Sequence, residues 1–141
     1  MTGLAFIVRN LTEAGAALAA AAAADRPVVL LSADSAAGYA GAGYFKALIA
    51  AAAQPGVASA AFLDCGDSPG LVLAALREGV GGVIFTGAPA MSAKLDAIAR
   101  AHGAQLLTLR PPAVDIAALR RRGADWREEL RRAFEDAGSA R

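Results

Sequence analysis

Five short apolar runs recur between residues 4 and 109. They are LAFIV (4–8), VVLL (28–31), AAFL (60–63), GVIF (82–85) and LLTL (106–109). Short runs without polar alternation are typical of strands that are buried on both faces, as strands of a parallel sheet are. Longer segments rich in alanine and leucine separate the runs. The pattern therefore predicts an α/β fold in which five parallel strands alternate with helices.

Polar residues and glycines mark the ends of the intervening helices. Asn10 or Thr12 can cap the first helix, and Ser68 followed by Pro69 is typical of a helix start. Gly79 stands where the third helix should end, because glycine readily adopts the left-handed conformation of a C-terminal cap. These signals support one helix after the first strand and another after the third.

The C-terminal segment differs in composition from the rest of the chain. Half of the 14 basic residues lie from Arg120 onward, interleaved with acidic residues. Trp126, Leu130 and Phe134 recur every four residues and form a narrow apolar stripe. We therefore predict a charged helix over 124–137 that docks through this stripe onto a single α/β domain spanning 1–141.

Size and charge exclude several classes of protein. The 141 residues suffice for about one domain, and 14 basic against 13 acidic residues are too balanced for a nucleic-acid-binding surface. No segment has the ~20 consecutive strongly apolar residues of a membrane span. The N-terminal run resembles a buried strand more than an export signal, and the single cysteine, Cys65, agrees with a reducing compartment. We expect a cytoplasmic protein that binds neither nucleic acid nor membrane.

Two stretches, taken in order, resemble a known family. They are AFIVRNLTEAGAALAAAAAADRPVVLLSADSAAGYAGAGYFKALIAAAA (5–53) and FLDCGDSPGLVLAALREGVGGVIFTG (62–87). They resemble the first half of the class II, metal-dependent fructose-bisphosphate and tagatose-bisphosphate aldolases, in which a Tyr-Ala-Gly helix start follows the second strand and the third strand ends in His-Leu-Asp-His-Gly. The resemblance covers about residues 4–109, which corresponds to five of the eight units of a TIM barrel.

The resemblance implies a lost metal site at the end of the third strand. It puts Asp64 on the family's acid/base aspartate, Cys65 on a histidine that binds the catalytic metal, and Phe62 on an earlier histidine. A divalent metal that polarises a ketone needs three or more protein ligands. We therefore expect no metal and no other cofactor. From the residues alone, the favoured interpretation of Asp64 is a residue that caps the next helix or accepts hydrogen bonds from turn amides, and that of Cys65 is a small buried residue at the strand end.

The later strands depart further from the family. Thr86 and Gly87 match its Asp-Gly pair at the end of the fourth strand, whereas Leu107 and Leu109 stand where it has acidic residues. The remaining metal ligands and the phosphate-binding turns belong to units of the family that find no counterpart in this sequence.

Two sheet arrangements are compatible with five strands. An open doubly wound three-layer sheet, with strand order 2-1-3-4-5, buries both sheet faces within one chain and is the arrangement that we predict. The alternative is a partial TIM barrel with order 1-2-3-4-5, which the resemblance favours but which would leave one apolar face for the C-terminal helix or a second chain to cover. Because such surface is difficult to cover with one chain, we expect a homodimer.

Two functions remain open. The first is a catalytically degenerate aldolase-like module, not an enzyme, that binds a small metabolite such as a sugar phosphate, or a protein partner, at the C-terminal ends of the strands. Its candidate ligand-binding residues are Asn10, Ser32, Asp34, Thr86 and Gly87. The second is a small metal-independent lyase or hydrolase that uses Asp64 and Cys65 as catalytic residues.

Overall fold

Parallel strands form one sheet, and helices follow them in alternation. The computed structural model describes residues 3–139, and every structural statement below concerns this range. The strands are β1 (Leu4–Ile7), β2 (Val28–Leu31), β3 (Ser59–Asp64), β4 (Gly82–Ile84), β5 (Gln105–Leu107) and β6 (Val114–Asp115). The helices are α1 (Leu11–Ala24), α2 (Ala42–Ala52), α3 (Pro69–Glu78), α4 (Pro89–Ala101), α5 (Ile116–Arg122) and α6 (Trp126–Ser139), with a short 3-10 helix at Ala36–Gly38. The predicted α/β class is confirmed.

The sheet has one strand more than the five predicted, because β6 adds to β1. Its Val114 pairs in parallel with Phe6, and Asp115 pairs with Ile7. A strand of two residues is too short to produce a recognisable apolar pattern, so β6 was not predicted.

The strand order corrects the predicted arrangement. The order is β5-β4-β3-β2-β1-β6, so β1 pairs with β2 and β6 and not with β3. The doubly wound order 2-1-3-4-5 is therefore wrong, and the consecutive order of the partial-barrel alternative is found. From β1 to β5 each strand lies beside its sequence neighbour in the same direction. Right-handed crossovers then place all the intervening helices on one face of the sheet.

The opposite face of the sheet is filled by the strands' own side chains. Val29, Leu31, Phe62 and Ile84 are buried against one another there. The residues packed against them, among those that the structure describes, come from strands and from Ala113, and none comes from a helix. Strand side chains that fill the space between strands are typical of a barrel interior. The apolar face that a barrel fragment was expected to expose is thus largely buried.

The predicted helix ends agree with the structure. The Asn10 side chain accepts a hydrogen bond from the Glu13 amide at 2.9 Å and caps α1. Ser68 accepts from the Leu71 amide at 3.2 Å and caps α3, which ends at Gly79 with φ of 87°. Local sequence therefore defines these two helices at the ends that were predicted.

Helix α6 packs against β1 and α1. Trp126, Leu130 and Phe134 are buried in the cluster that contains β1 and α1, and the rings of Phe134 and Phe6 lie 5.4 Å apart. Arg120 at the end of α5 makes an ion pair at 3.2 Å with the buried carboxylate of Glu13 on α1. None of the described helices is long and apolar enough to cross a membrane.

Candidate functional site

The polar residues that follow β2 and β3 meet at one edge of the sheet. Ser32 and Asp34 follow β2, and Asp64 ends β3, which pairs with β2 in parallel. Because parallel strands end at the same edge, their carboxyl-terminal residues become neighbours. Together with Arg110 they form a cluster linked by hydrogen bonds and ion pairs. We call these four residues the strand-end cluster.

Asp64 is the centre of the strand-end cluster. Its side chain is only 4% exposed. One carboxylate oxygen, Oδ1, accepts hydrogen bonds from the amides of Ser35 at 3.1 Å and Gly66 at 2.8 Å. The other, Oδ2, accepts from Nη1 of Arg110 at 2.7 Å. Oδ1 therefore holds the turns after β2 and β3 together, and both oxygens have the hydrogen-bond partners that a buried carboxylate requires.

Ser32 links the ends of β2 and β3. Its buried hydroxyl accepts a hydrogen bond from the Asp64 amide at 2.9 Å and donates to the Ala33 carbonyl at 3.0 Å. Its own backbone carbonyl accepts from Nη2 of Arg110 at 3.1 Å. The serine thus fixes the backbone from which the Asp64 side chain projects.

Arg110 lies in the segment 108–113, which we call the crossing segment. This segment joins β5 and β6, which form opposite edges of the sheet. It therefore passes across the carboxyl ends of the inner strands, where Arg110 reaches Asp64 on β3. Pro111 and Pro112 follow Arg110 and restrict the backbone there.

Arg110 also reaches Asp34. Its Nε lies 2.9 Å from Oδ1 of Asp34, but the two carboxylates around the guanidinium differ in environment. The Asp34 side chain is 85% exposed, the Arg110 side chain 22%. The guanidinium thus donates a hydrogen bond to a buried carboxylate on its inner side and forms an ion pair with a solvated carboxylate on its outer side.

Cys65 faces the helices and not the strand-end cluster. It is buried among residues such as Val72 and Phe85, and its Sγ lies 3.7 Å from the Leu63 carbonyl oxygen. Burial, and then the charge of Asp64, raise the pKa of the thiol to about 12. The sulfur is therefore a protonated thiol at neutral pH, which is a poor nucleophile.

The other predicted ligand residues lie apart from this cluster or touch its margin. Asn10 uses its side-chain oxygen to cap α1. Thr86 is exposed, and its amide donates to the Gly66 carbonyl at 2.8 Å. Gly87 lies against the Phe85 ring, so closely that no Cβ would fit. Thr86 and Gly87 thus border the turn that binds Asp64, whereas Asn10 serves the first helix.

Sequence reasoning missed Arg110. A signal was present, because it is the only lysine or arginine between Arg100 and Arg120 and it directly follows the last predicted strand. Its partner could not be identified from sequence, since Asp64 is 46 positions away.

A second charged pair lies beside the cluster. Both terminal nitrogens of Arg9 contact the Asp115 carboxylate, one of them at 3.1 Å. Partial burial alone would raise the pKa of Asp115, but the hydrogen bond and charge of Arg9 outweigh it and lower the pKa. Asp115 also caps α5, because its Oδ1 accepts from the Ala117 amide at 3.0 Å. This pair fastens β6 and α5 to the end of β1.

The described residues contain no group of three or more histidine, cysteine, aspartate or glutamate side chains that could hold a metal ion.

Comparison with protein families gives a match to class-II fructose-bisphosphate aldolase over residues 2–100, more than two thirds of the chain. The match includes Asp64 and Cys65 and ends before Arg110. Comparison with curated proteins gives no match. The chain belongs to the class II fructose-bisphosphate aldolase family.

Proposed function

We propose that this protein is a catalytically degenerate member of its family, without the catalytic metal site, and that it binds a small phosphorylated or carboxylated metabolite at the carboxyl ends of its strands. The observation that carries the proposal is the ion pair between Arg110 and Asp64. Asp64 stands at the position where the resemblance implies the family's acid/base residue. Here that carboxylate is committed to Arg110 and to two backbone amides.

These hydrogen bonds and the ion pair disfavour proton transfer by Asp64. A general acid or base must come within hydrogen-bond distance of the reacting group. Asp64 would have to release Arg110, and removing one partner of a buried ion pair costs about 3–5 kcal/mol. The arrangement instead favours a carboxylate whose task is to position Arg110 and the two turns.

The residues at the implied metal-ligand positions do not fit a divalent cation. Phe62 contributes its ring to the buried cluster on the inner sheet face, and the Cys65 thiol lies on the helix side of the sheet. Oδ2 of Asp64, the oxygen that accepts from no amide, is bonded to the Arg110 guanidinium, whose positive charge would repel a metal cation. We therefore derive no reaction step that involves a metal.

The buried thiol also weighs against a metal-independent lyase or hydrolase. Such an enzyme would need Cys65 as a thiolate, whereas the pKa of this thiol is raised to about 12. What remains at the strand ends is a guanidinium with exposed polar neighbours, which suits binding without chemistry.

We further propose that two copies of the chain associate. The exposed edges of the sheet carry apolar side chains, because Val114 on β6 is partly exposed and Leu109, which follows β5, is 78% exposed. Unpaired strand edges readily pair with another chain. Light scattering should give about twice the mass of one chain at micromolar concentration. The mass of a single chain would contradict this proposal.

We propose a cytoplasmic location on the single free cysteine alone.

Two measurements on the purified protein test the main proposal. A coupled assay with fructose 1,6-bisphosphate should detect no aldol cleavage, with or without added Zn²⁺. Metal-dependent turnover that disappears in Asp64→Asn would refute the degenerate assignment.

The second measurement is thermal unfolding in the presence of a panel of sugar phosphates. A compound at ten times its dissociation constant stabilises the folded state by about 1.4 kcal/mol, so at least one should raise Tm measurably. Asp96→Asn is a suitable control variant, because it removes a partly exposed carboxylate that pairs with Arg100 on α4. No shift with any compound would contradict binding.

A further inference from the structure

We infer that Arg110 is the oxyanion-binding residue of this protein, and that Asp34 is an internal carboxylate which occupies its outer side until a phosphate or carboxylate ligand displaces it. The inference rests on the proposed function, in that it assigns the residue and the ligand chemistry to the same strand-end site. It adds a competition between the ligand and the chain's own side chain.

The first step concerns which partner holds Arg110 in place. Asp64 is almost completely buried and bonds Nη1 at 2.7 Å, and the Ser32 carbonyl bonds Nη2 at 3.1 Å. A hydrogen bond between charged groups that are shielded from water is strong and directional. These two acceptors fix the inner side of the guanidinium whether or not Asp34 is present.

The second step concerns which partner can leave. Asp34 lies 2.9 Å from Nε with 85% of its side chain exposed. Ion pairs between exposed groups contribute roughly 0–1 kcal/mol, and this pair is comparable because Asp34 remains solvated and Arg110, although 22% exposed, keeps its two inner acceptors when Asp34 leaves. Asp34 can therefore turn into solvent at little cost, whereas Asp64 cannot.

The third step concerns the donors that an incoming anion would find. A guanidinium has five N–H groups; Asp64 and the Ser32 carbonyl each accept a hydrogen bond from one of them, and Asp34 lies 2.9 Å from Nε as an ion pair. When Asp34 turns away, Nε and the second N–H of Nη2 remain on the outer side. Two donors of a guanidinium side by side match two oxygens of one carboxylate or phosphate.

The fourth step concerns charge. Asp34 and Asp64 together carry one negative charge more than Arg110 neutralises. A singly charged carboxylate that takes the place of Asp34 beside Nε leaves the charge in direct contact with the guanidinium unchanged, while Asp34 itself stays nearby in solvent. An oxyanion can therefore make the same contact with the guanidinium as Asp34 does. Its affinity is lower than it would be without Asp34, because it must first displace that carboxylate.

The test compares anion binding in three variants at constant ionic strength, with inorganic phosphate and acetate as probes and chloride as the reference anion. Asp34→Asn removes the internal carboxylate, so its apparent dissociation constant for the probe should fall by about two- to fivefold relative to the wild type. Asp96→Asn makes the same change in net charge on α4 and should leave the constant unchanged. Arg110→Lys keeps the charge beside Asp64 but loses the paired donors, and should weaken binding at least tenfold.

Each outcome decides the inference. Equal constants in Asp34→Asn and Asp96→Asn, or unchanged binding in Arg110→Lys, would overturn it. Failure of all the folded proteins to bind either probe would overturn it as well. Binding of phosphate but not acetate would assign the site to phosphate monoesters, and the reverse to carboxylates. If sugar phosphates stabilise the wild type and Arg110→Lys equally, the proposed function stands and the role of Arg110 is wrong.

Discussion

Loss of the Arg110 side chain should destabilise this protein strongly, because Asp64 is buried and depends on it. Arg110→Met keeps much of the apolar part of the side chain and removes the guanidinium. Oδ2 of Asp64 then loses its 2.7 Å partner, and the Ser32 carbonyl loses its donor at 3.1 Å. Oδ1 keeps its bonds to the amides of Ser35 and Gly66.

The magnitude follows from the burial of the carboxylate. A buried ion pair broken by removal of one partner costs about 3–5 kcal/mol, most of it the cost of an unpaired buried charge. Asp64 is 4% exposed, so little water can replace Arg110 unless the crossing segment moves. We expect a loss of about 3 kcal/mol, a large fraction of the ~5–15 kcal/mol stability of a typical domain.

Urea unfolding followed by Trp126 fluorescence measures this loss, and a second variant identifies its source. Asp64→Asn removes the buried charge but keeps an acceptor for the turn amides, so it should cost about 1–3 kcal/mol. In the double variant the two losses should not add, and a coupling free energy of about 1–3 kcal/mol is expected. A loss below 1 kcal/mol in Arg110→Met, or full additivity, would refute the claim that this pair holds the strand ends together.

Three further predictions concern other parts of the fold. Phe134→Ala on α6 should cost about 3–5 kcal/mol in urea unfolding, because the ring is buried against Phe6; a loss under 1 kcal/mol would mean that α6 unfolds separately. Gly82→Ala should lower Tm markedly, since a Cβ there would lie 2.5 Å from the Ala61 carbonyl oxygen and 2.6 Å from the Phe62 ring, whereas Gly81→Ala, with nothing within 4 Å, should have a far smaller effect. The pKa of Cys65 is raised by burial and then by the charge of Asp64, so the folded state disfavours the thiolate. The stability that the folded state gains by keeping this thiol protonated is present in full below about pH 8.5 and is lost as the pH rises through about 12. The free energy of unfolding, measured from pH 8 to 11, should therefore fall less steeply in Cys65→Ala than in the wild type. Equal slopes would contradict the raised pKa of Cys65.

The family relationship and the strand-end cluster point to a division within the chain. The match to the aldolase family ends at residue 100, and the crossing segment, β6, α5 and α6 follow it. Arg110 reaches back from this later part to Asp64 in the matched part, and Arg120 does the same to Glu13. Each of these ion pairs joins a buried carboxylate within the matched residues 2–100 to an arginine from the segment that follows.

The local elements could be predicted from the amino-acid sequence alone. The five apolar runs predicted five of the strands, because a strand buried on both faces requires continuous apolar residues. Asn10, Ser68 and Gly79 marked helix ends, because capping depends on residues within one turn of each other. The family was also recognisable, since the order of these short motifs is preserved along the chain.

The order of the strands and the composition of the site depend on contacts between distant parts of the chain. Both sheet orders satisfy the same apolar pattern, and the choice between them depends on which side of β1 the following strands lie. Asp64 was a candidate from sequence, but its role depends on Arg110, which the crossing segment brings from 46 positions away. Likewise, the burial that makes Cys65 a poor nucleophile comes from side chains on other elements. Contacts between residues so far apart have no local pattern, because they form only when the sheet brings its strand ends together.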